Sequence, residues 1–106
     1  MSSIVQRQTC LLNNEGNVAI TFDGTDVVQI AQNGDVKIHL SGKRDDELVE
    51  SLNYTLSPIG IKLTKKGEDM SVSDGRALVR YHDGIVLGGK GNMFRGSMVM
   101  TAFHGQ

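Results

Sequence analysis

Three histidines and one cysteine are the residues best suited to bind a metal or to act as base and nucleophile, but they are widely spaced. They are Cys10, His39, His82 and His104. A structural zinc site typically contains close ligand pairs such as Cys-x2-Cys or His-x3-His, and no two of these residues have that spacing. Cys10 lies in the alternating run 9-TCLL-12, which favours a small buried apolar side chain. We therefore predict no metal site and no reactive thiol, unless separate strands bring such a site together.

The densest acidic patch contains the carboxylates of Asp45, Asp46, Glu47 and Glu50. Paired carboxylates could bind a divalent cation or exchange protons. However, the alternating Asp and Asn ligands and the terminal Glu of an EF-hand are missing, and adjacent positions of a helix do not face each other. Acids also favour the first turn of a helix, where they meet the positive end of the helix dipole. We therefore interpret the patch as a helix start, with a capping and solvating role.

Two glycine-rich segments, 41-SGK-43 and 88-GGKGN-92, have part of the pattern of a phosphate-binding loop. A P-loop needs the spacing G-x-x-x-x-G-K-[ST] between a strand and a helix. The first segment lacks the upstream glycine. In the second, Asn92 follows Gly91 and no helical pattern comes after it. We therefore predict ordinary hairpin loops and no nucleotide or other cofactor.

The segment from Gly84 to Gln106 contains no Asp or Glu but combines basic and aromatic residues. Such a combination can bind single-stranded nucleic acid. The candidate contacts for a nucleic acid, or for a small ligand at the 82–92 loops, are His82, Lys90, Phe94 and Arg95, with Lys62, Lys65 and Lys66 beside them. The net charge of the whole chain is −1, without the basic excess typical of nucleic-acid-binding domains. Nucleic-acid binding is therefore an alternative rather than the favoured interpretation.

Methionine is concentrated near the end of the chain, where 97-SMVMTAF-103 alternates and predicts an edge or closing strand. On such a strand Met98 and Met100 share one face, and Val99 and Phe103 share the other. A terminal strand that is apolar on both faces lies either inside the domain or beneath a partner. The predicted partner-binding residues are Met98, Val99, Met100 and Phe103.

A clean alternation of apolar and polar residues runs through 18-VAITFDGTDVVQIAQNGDVKIHL-40. Strict alternation is typical of strands with one buried face. Asp23-Gly24 and Asn33-Gly34 separate the apolar runs, and these dipeptides are strong signals for hairpin turns. We therefore predict three consecutive antiparallel strands, with an earlier strand in residues 3–12.

The pattern changes between residues 41 and 60, where Leu48, Val49, Leu52 and Leu56 recur at helical spacing. We predict a helix over residues 45–56, which Pro58 and Gly60 end. A strand through Leu52, Tyr54 and Leu56 is the competing interpretation. After residue 60 the chain returns to short strands and Asp-Gly turns.

The length of 106 residues fits a single globular domain, residues 1–106. We expect a mostly β fold (a β-rich α+β fold): an antiparallel sandwich or partly closed barrel of eight or nine short strands with one helix near 45–56. Segments 23–43 and 74–90 both read turn, strand, turn, strand and Gly-Lys. They predict either two similar hairpin halves around a central helix or features that any two hairpins share.

Neither a targeting segment nor a long apolar run is visible, and a single cysteine suits a reducing compartment. We therefore expect an intracellular, cytoplasmic protein with no membrane span. No G-x-S-x-G motif or Ser-His-Asp arrangement stands out, so a non-catalytic function is favoured over an enzyme. The preferred hypothesis is a protein-interaction or assembly module that associates with itself or another protein through the 97–103 edge strand. The alternatives are a small-ligand-binding protein or small enzyme with a site at the 82–92 loops, and single-stranded nucleic-acid binding.

Overall fold

The computed structural model describes residues 7–43, 45–89 and 91–105, which form eight strands and two α-helices. The strands are β1 (Gln8–Leu12), β2 (Val18–Phe22), β3 (Thr25–Ile30), β4 (Val36–Ile38), β5 (Lys62–Lys66), β6 (Asp69–Ser73), β7 (Leu78–Arg80) and β8 (Ile85–Leu87); the helices are α1 (Asp46–Leu56) and α2 (Arg95–His104), with a short 3-10 helix at Ser57–Ile59. The strands form two antiparallel sheets. The predicted β-rich fold is confirmed, and the sheets do not close into a barrel.

The larger sheet has the strand order β1-β2-β3-β4-β8, so the predicted meander is extended by a strand from late in the chain. Its inner face consists of apolar rows that cross all five strands. One row is Cys10, Ile20, Val28, Ile38 and Ile85; the next is Leu12, Val18, Ile30, Val36 and Leu87. All of these residues except Leu12 are buried, and burying one aliphatic side chain of this size stabilises a fold by about 1.5–3 kcal/mol. The alternation in the sequence therefore reports the core face correctly.

A β-bulge interrupts this alternation in β3. Ile20 is opposite Val28, but the next residue, Thr21, is opposite Asp26, which leaves Val27 as the extra residue. Val27 is buried next to Val28, and its carbonyl accepts a hydrogen bond of 2.8 Å from the His39 amide. Bulges bend and twist a strand locally.

The two predicted hairpin turns form, with different geometries. Asp23 and Gly24 have φ values of 53° and 82°, as a type I′ turn requires. At the second turn only Gly34 has a positive φ, 95°, and the Ala31 carbonyl accepts from the Gly34 amide at 2.9 Å. One glycine in the left-handed position after such a turn is typical of hairpin loops longer than two residues.

The smaller sheet, of order β5-β6-β7, lies beside α1. Helix α1 confirms the predicted helix and excludes the competing strand through Leu52, Tyr54 and Leu56. Leu48, Val49, Leu52 and Leu56 are all buried, because their helical spacing places them on one face. The 3-10 helix with Pro58 follows, and the chain then turns at Gly60, which has a φ of 74°.

The predicted strand at residues 97–103 is wrong, because this segment lies within helix α2. The described residues therefore contain two helices rather than one. Gly96, Val99 and Phe103 recur at helical spacing and face the core. A Cβ atom at Gly96 would lie only 2.9 Å from the Val18 side chain, so α2 packs closely on β2. In so short a segment alternation and helical spacing overlap, and Met and Ala favour the helix.

The two similar sequence segments lie in different arrangements. In the first, β3 and β4 are paired neighbours in the larger sheet. In the second, β7 belongs to the smaller sheet and β8 to the larger one. The hypothesis of two related hairpin halves stays a prediction. In the described part of the chain, neither helix has the length and apolar character needed to cross a bilayer.

Candidate interaction surface

The outer face of α2 carries exposed apolar side chains beside a shallow groove, which we call the α2 groove. Phe94 is 67% exposed and Met98 is 42% exposed, and Met93 precedes them with similar exposure. The groove has a volume of about 530 Å³. Its lining residues are Pro58, Phe94, Ser97, Met98, Thr101 and Ala102. All of these residues except Pro58 share one stripe along α2. The groove therefore runs along α2 and ends at Pro58 in the 3-10 helix.

Only Met98 of the four predicted partner-binding residues is well exposed. Val99 is completely buried, so the prediction that it contacts a partner is wrong for this surface. Met100 is partly buried, and its sulfur accepts a hydrogen bond from the Cys10 thiol, with 3.6 Å between the two sulfur atoms. Phe103 packs partly against the core, with its ring edge-on to the His104 imidazole. These three side chains hold α2 on the sheet and thereby present Met98 to solvent.

The α2 groove carries no charge, since all six residues that line it are neutral. The sequence from Gly84 onwards has no acidic residue, and Arg95 points inwards and is 8% exposed. An apolar surface of this kind can remove a partner's apolar side chains from water. Its polar side chains are the hydroxyls of Ser97 and Thr101, and the Ser97 hydroxyl donates a hydrogen bond to the Phe94 carbonyl at 3.0 Å.

The residues proposed for the alternative ligand or nucleic-acid site have separate structural roles. The Nη1 atom of Arg95 donates to the Gly34 carbonyl at 3.1 Å and to the Gly88 carbonyl at 3.4 Å. Arg95 therefore holds two loops together from inside the fold, rather than facing a ligand. His82 is exposed in the turn before β8, and Lys90 lies outside the described residues.

Gly89 and Asn92, from the glycine-rich segment, pack directly against the β3–β4 turn. A Cβ atom at Gly89 would lie 2.2 Å from the Gly34 carbonyl carbon, and one at Gly34 would lie 2.2 Å from the Asn92 carbonyl oxygen. The Gly89 amide donates to the Asp35 carboxylate at 2.7 Å. Glycine is therefore required at these two positions by the close approach of two backbones.

The acidic start of α1 makes ion pairs rather than side-chain caps. Asp45 occupies the N-cap position but forms no side-chain capping hydrogen bond, so the predicted capping role is wrong for this residue. Glu47 pairs with Arg7, which also binds Asp23 and lies 4.4 Å above the Phe22 ring centroid. Asp46 pairs with Lys65 at 3.2 Å. The patch therefore connects α1 to both sheets.

A second, smaller depression lies on the outer face of the larger sheet, beside the bulge. Its volume is about 230 Å³, and it is lined by Asp26, Val27, Val28, Gln29, Lys37 and His39. His39 is exposed there, as predicted for the polar face of its strand. Within the described residues, no three His, Cys, Asp or Glu side chains come close enough to hold a metal ion.

Sequence reasoning missed most of the residues that line the α2 groove because it treated the segment as a strand. Phe94 was considered only as a contact for a ligand or nucleic acid, and Pro58 only as a helix stop. The signal that identifies the groove is the recurrence of Phe94, Met98, Thr101 and Ala102 at helical spacing.

We expect the Cys10 thiol to resist alkylation in the folded protein. Cys10 is completely buried, and burial raises the pKa of its thiol to about 11. The reactive thiolate is therefore scarce at neutral pH, and iodoacetamide can reach the sulfur only when the fold opens. Alkylation followed by mass spectrometry should be at least about a hundredfold slower in buffer than in concentrated guanidinium chloride. Similar rates in the two solvents would contradict the buried position of Cys10.

Comparison with protein-family models, with curated proteins and with solved structures finds no match for this chain. The surfaces described above are therefore the basis for a proposal about function.

Proposed function

We propose that this protein is a non-catalytic interaction module that associates with a second copy of itself through the α2 groove. The observation that carries the proposal is the uncharged stripe on α2 where Phe94 and Met98 remain exposed beside an apolar groove. Side chains of this type bury the most apolar area at protein interfaces, and aromatic residues and Met are enriched there.

The order of large and small residues along α2 suits an antiparallel twofold contact. Phe94 and Met98 lie near the start of the stripe, and Thr101 and Ala102 lie near its end. In a twofold pair the same surface meets itself in the opposite direction. The Phe94 ring of one copy then enters the groove of the other copy beside its small residues. Since the stripe has no charge, no like charges meet across the axis.

This helix contact replaces the strand addition that the sequence suggested for residues 97–103. Self-association is retained from that hypothesis, while the surface and the mechanism are changed. The single cysteine is a free, buried thiol, which supports a reducing, cytoplasmic setting for such a module.

Replacing Met98 with aspartate is expected to abolish self-association. The substitution places a charge at the centre of an apolar contact, where it would lose its hydration on association. Sedimentation velocity across micromolar concentrations should show a dimer for the native chain and an affinity weaker by about a hundredfold or more for Met98→Asp.

Val86→Asp is the matched control for this experiment. Val86 is also an exposed apolar residue, but it lies on the outer face of the larger sheet. Its substitution should leave the dimer unchanged, and circular dichroism should show that both variants are folded. A native chain that stays monomeric throughout the concentration range, or an unaffected Met98→Asp dimer, would refute the proposed surface.

A further inference from the structure

Both sheets have edge strands whose outward backbone groups could pair with another chain. The edges are β1 and β8 in the larger sheet and β5 and β7 in the smaller one. Proteins usually cover such edges, because an exposed edge is a template for strand addition. The four edges of this fold differ in how they are covered.

The β5 edge is covered by one side chain of α1. The Asn53 amide nitrogen donates to the Leu63 carbonyl at 2.8 Å, and the Asn53 amide oxygen accepts from the Leu63 amide at 2.6 Å. One side chain thus makes the pair of hydrogen bonds that a neighbouring strand would make. No strand can pair with β5 at Leu63 while Asn53 is in place.

The β1 edge is obstructed in another way, and β8 is a short edge strand. On β1, the His104 imidazole at the end of α2 donates its Nε2–H to the Cys10 carbonyl at 2.7 Å. On β8, which has three residues, Ile85 and Leu87 are both buried. An incoming strand would have to displace α2 to pair with the middle of β1.

The β7 edge has an open outward side. The Tyr81 amide donates to the Met70 carbonyl in β6 at 2.9 Å, and Val79 lies opposite Val72. Because the backbone groups of an antiparallel strand alternate in direction, those of Leu78 and Arg80 point away from β6. Within the described residues, no side chain is hydrogen-bonded to these outward groups. Leu78 is 68% exposed and Val79 is 39% exposed.

The smaller sheet also carries a positive net charge. Residues 62–80 contain five basic and three acidic residues, a net charge of +2 in a chain whose total is −1. Two of the acids are already engaged: Asp69 pairs with Arg80 at 3.3 Å, and the Asp74 carboxylate accepts from the Arg76 and Ala77 amides. Lys62, Lys66 and Arg76 remain exposed around the sheet.

We propose that β7 binds an extended, acidic segment of a partner protein by strand addition. The outward groups of Leu78 and Arg80 supply the backbone hydrogen bonds. Apolar residues at alternate positions of the segment pack on the sheet face that carries Val79, and its carboxylates lie on the opposite face, beside Arg80 and Lys66. This surface is separate from the α2 groove, so the proposal does not depend on self-association.

A fluorescein-labelled peptide of sequence Asp-Val-Glu-Val-Asp-Val-Glu tests the proposal with the full chain. Fluorescence anisotropy should show saturable binding that weakens as salt is added, because the attraction is partly electrostatic. The same peptide with lysine at every acidic position should bind at least about tenfold more weakly. Equal binding of the two peptides, or no binding of the acidic one, would overturn the proposal.

Two variants at one position identify the edge itself. Leu78→Pro removes an outward N–H and leaves the ladder to β6 intact, which edge strands tolerate. Leu78→Ala keeps the N–H and is the matched control. We expect Leu78→Pro to weaken peptide binding about tenfold relative to Leu78→Ala, with both variants folded and with unchanged self-association. Equal affinities for the two variants would show that β7 does not add a strand.

Amide hydrogen exchange supplies a readout that does not require a variant. Saturating acidic peptide should slow exchange at the outward amides of Leu78 and Arg80 and leave the α2 amides unchanged. Protection confined to α2 would instead assign the peptide to the α2 groove and would overturn the β7 proposal.

Discussion

Replacing Gly34 with alanine is expected to destabilise the fold by about 3 kcal/mol or more, because two independent costs combine. Gly34 has a φ of 95°, in the left-handed region that side chains disfavour. A Cβ atom there would also lie 2.2 Å from the carbonyl oxygen of Asn92. This neighbour is backbone, so it cannot rotate away as a flexible side chain could.

Gly24→Ala separates these two costs. Gly24 also has a positive φ, 82°, but no atom lies within 4 Å of a Cβ placed on it. Only the backbone cost remains, about 1–2 kcal/mol. Urea denaturation of both variants should therefore give a clearly larger loss for Gly34→Ala. Equal losses would mean that the two loops do not touch at this point.

The contact at Gly34 also determines where α2 begins. The Gly34 carbonyl accepts from Arg95, the first residue of α2, and the following residue, Asp35, binds the Gly89 amide. A shift of this turn would therefore displace the first turn of α2 and, with it, Phe94. We expect any folded fraction of Gly34→Ala to dimerise more weakly than the native chain.

Local patterns in the sequence were sufficient to predict the β1–β4 meander and α1, but not that β8 extends the sheet beside β4. Ile20, Val28 and Ile38 lie in one buried row because each strand keeps its own alternation, and the Asp23-Gly24 turn fixes how two of these strands meet. In α1, four apolar residues recur over more than two turns, which is long enough to separate a helix from a strand. These features depend on neighbours in the sequence.

The features that the sequence did not reveal depend on distant contacts. The bulge at Val27 arises where three strands meet. The helical state of residues 97–103 depends on Gly96 fitting against Val18, far away in the sequence. The side chains of Asn53 and His104 cover strand edges through hydrogen bonds across the fold. No local pattern in the sequence marks Asn53 as different from the other asparagines of the chain.

The α2 groove and the β7 edge therefore became visible only in three dimensions. Met98 is exposed, but it lies on a helix rather than the predicted strand, and its contact with a partner stays a prediction. Leu78 lies in a predicted strand that carried no functional hypothesis. Its significance comes from the contrast with β5 and β1, whose outward backbone groups are partly occupied by side chains.

Replacing Asn53 with alanine is expected to destabilise the fold by about 2 kcal/mol. The change removes two hydrogen bonds and leaves the Leu63 amide and carbonyl without partners, and each buried unsatisfied group costs about 1–3 kcal/mol. Leu63 itself is buried. The gain from the higher helix propensity of alanine, about 0.7 kcal/mol at most, offsets only part of this loss.

Two further variants show whether the loss comes from the hydrogen bonds. Asn53→Asp keeps an acceptor for the Leu63 amide but turns a carboxylate oxygen toward the Leu63 carbonyl oxygen, so it too should be less stable than the native chain. Asn14→Ala, in an exposed turn, should change stability by no more than about 0.5 kcal/mol. Urea denaturation measures all three free energies of unfolding.

The same variant relates stability to edge pairing. Because α1 still lies beside β5 in Asn53→Ala, the acidic peptide should bind this variant at one site, as it binds the native chain, provided that the chain stays folded. Titration to saturation gives that stoichiometry. Two sites in Asn53→Ala would show that the Asn53 side chain alone, and not α1, keeps a strand from β5. A stability loss below about 0.5 kcal/mol would show that water replaces the asparagine amide without cost.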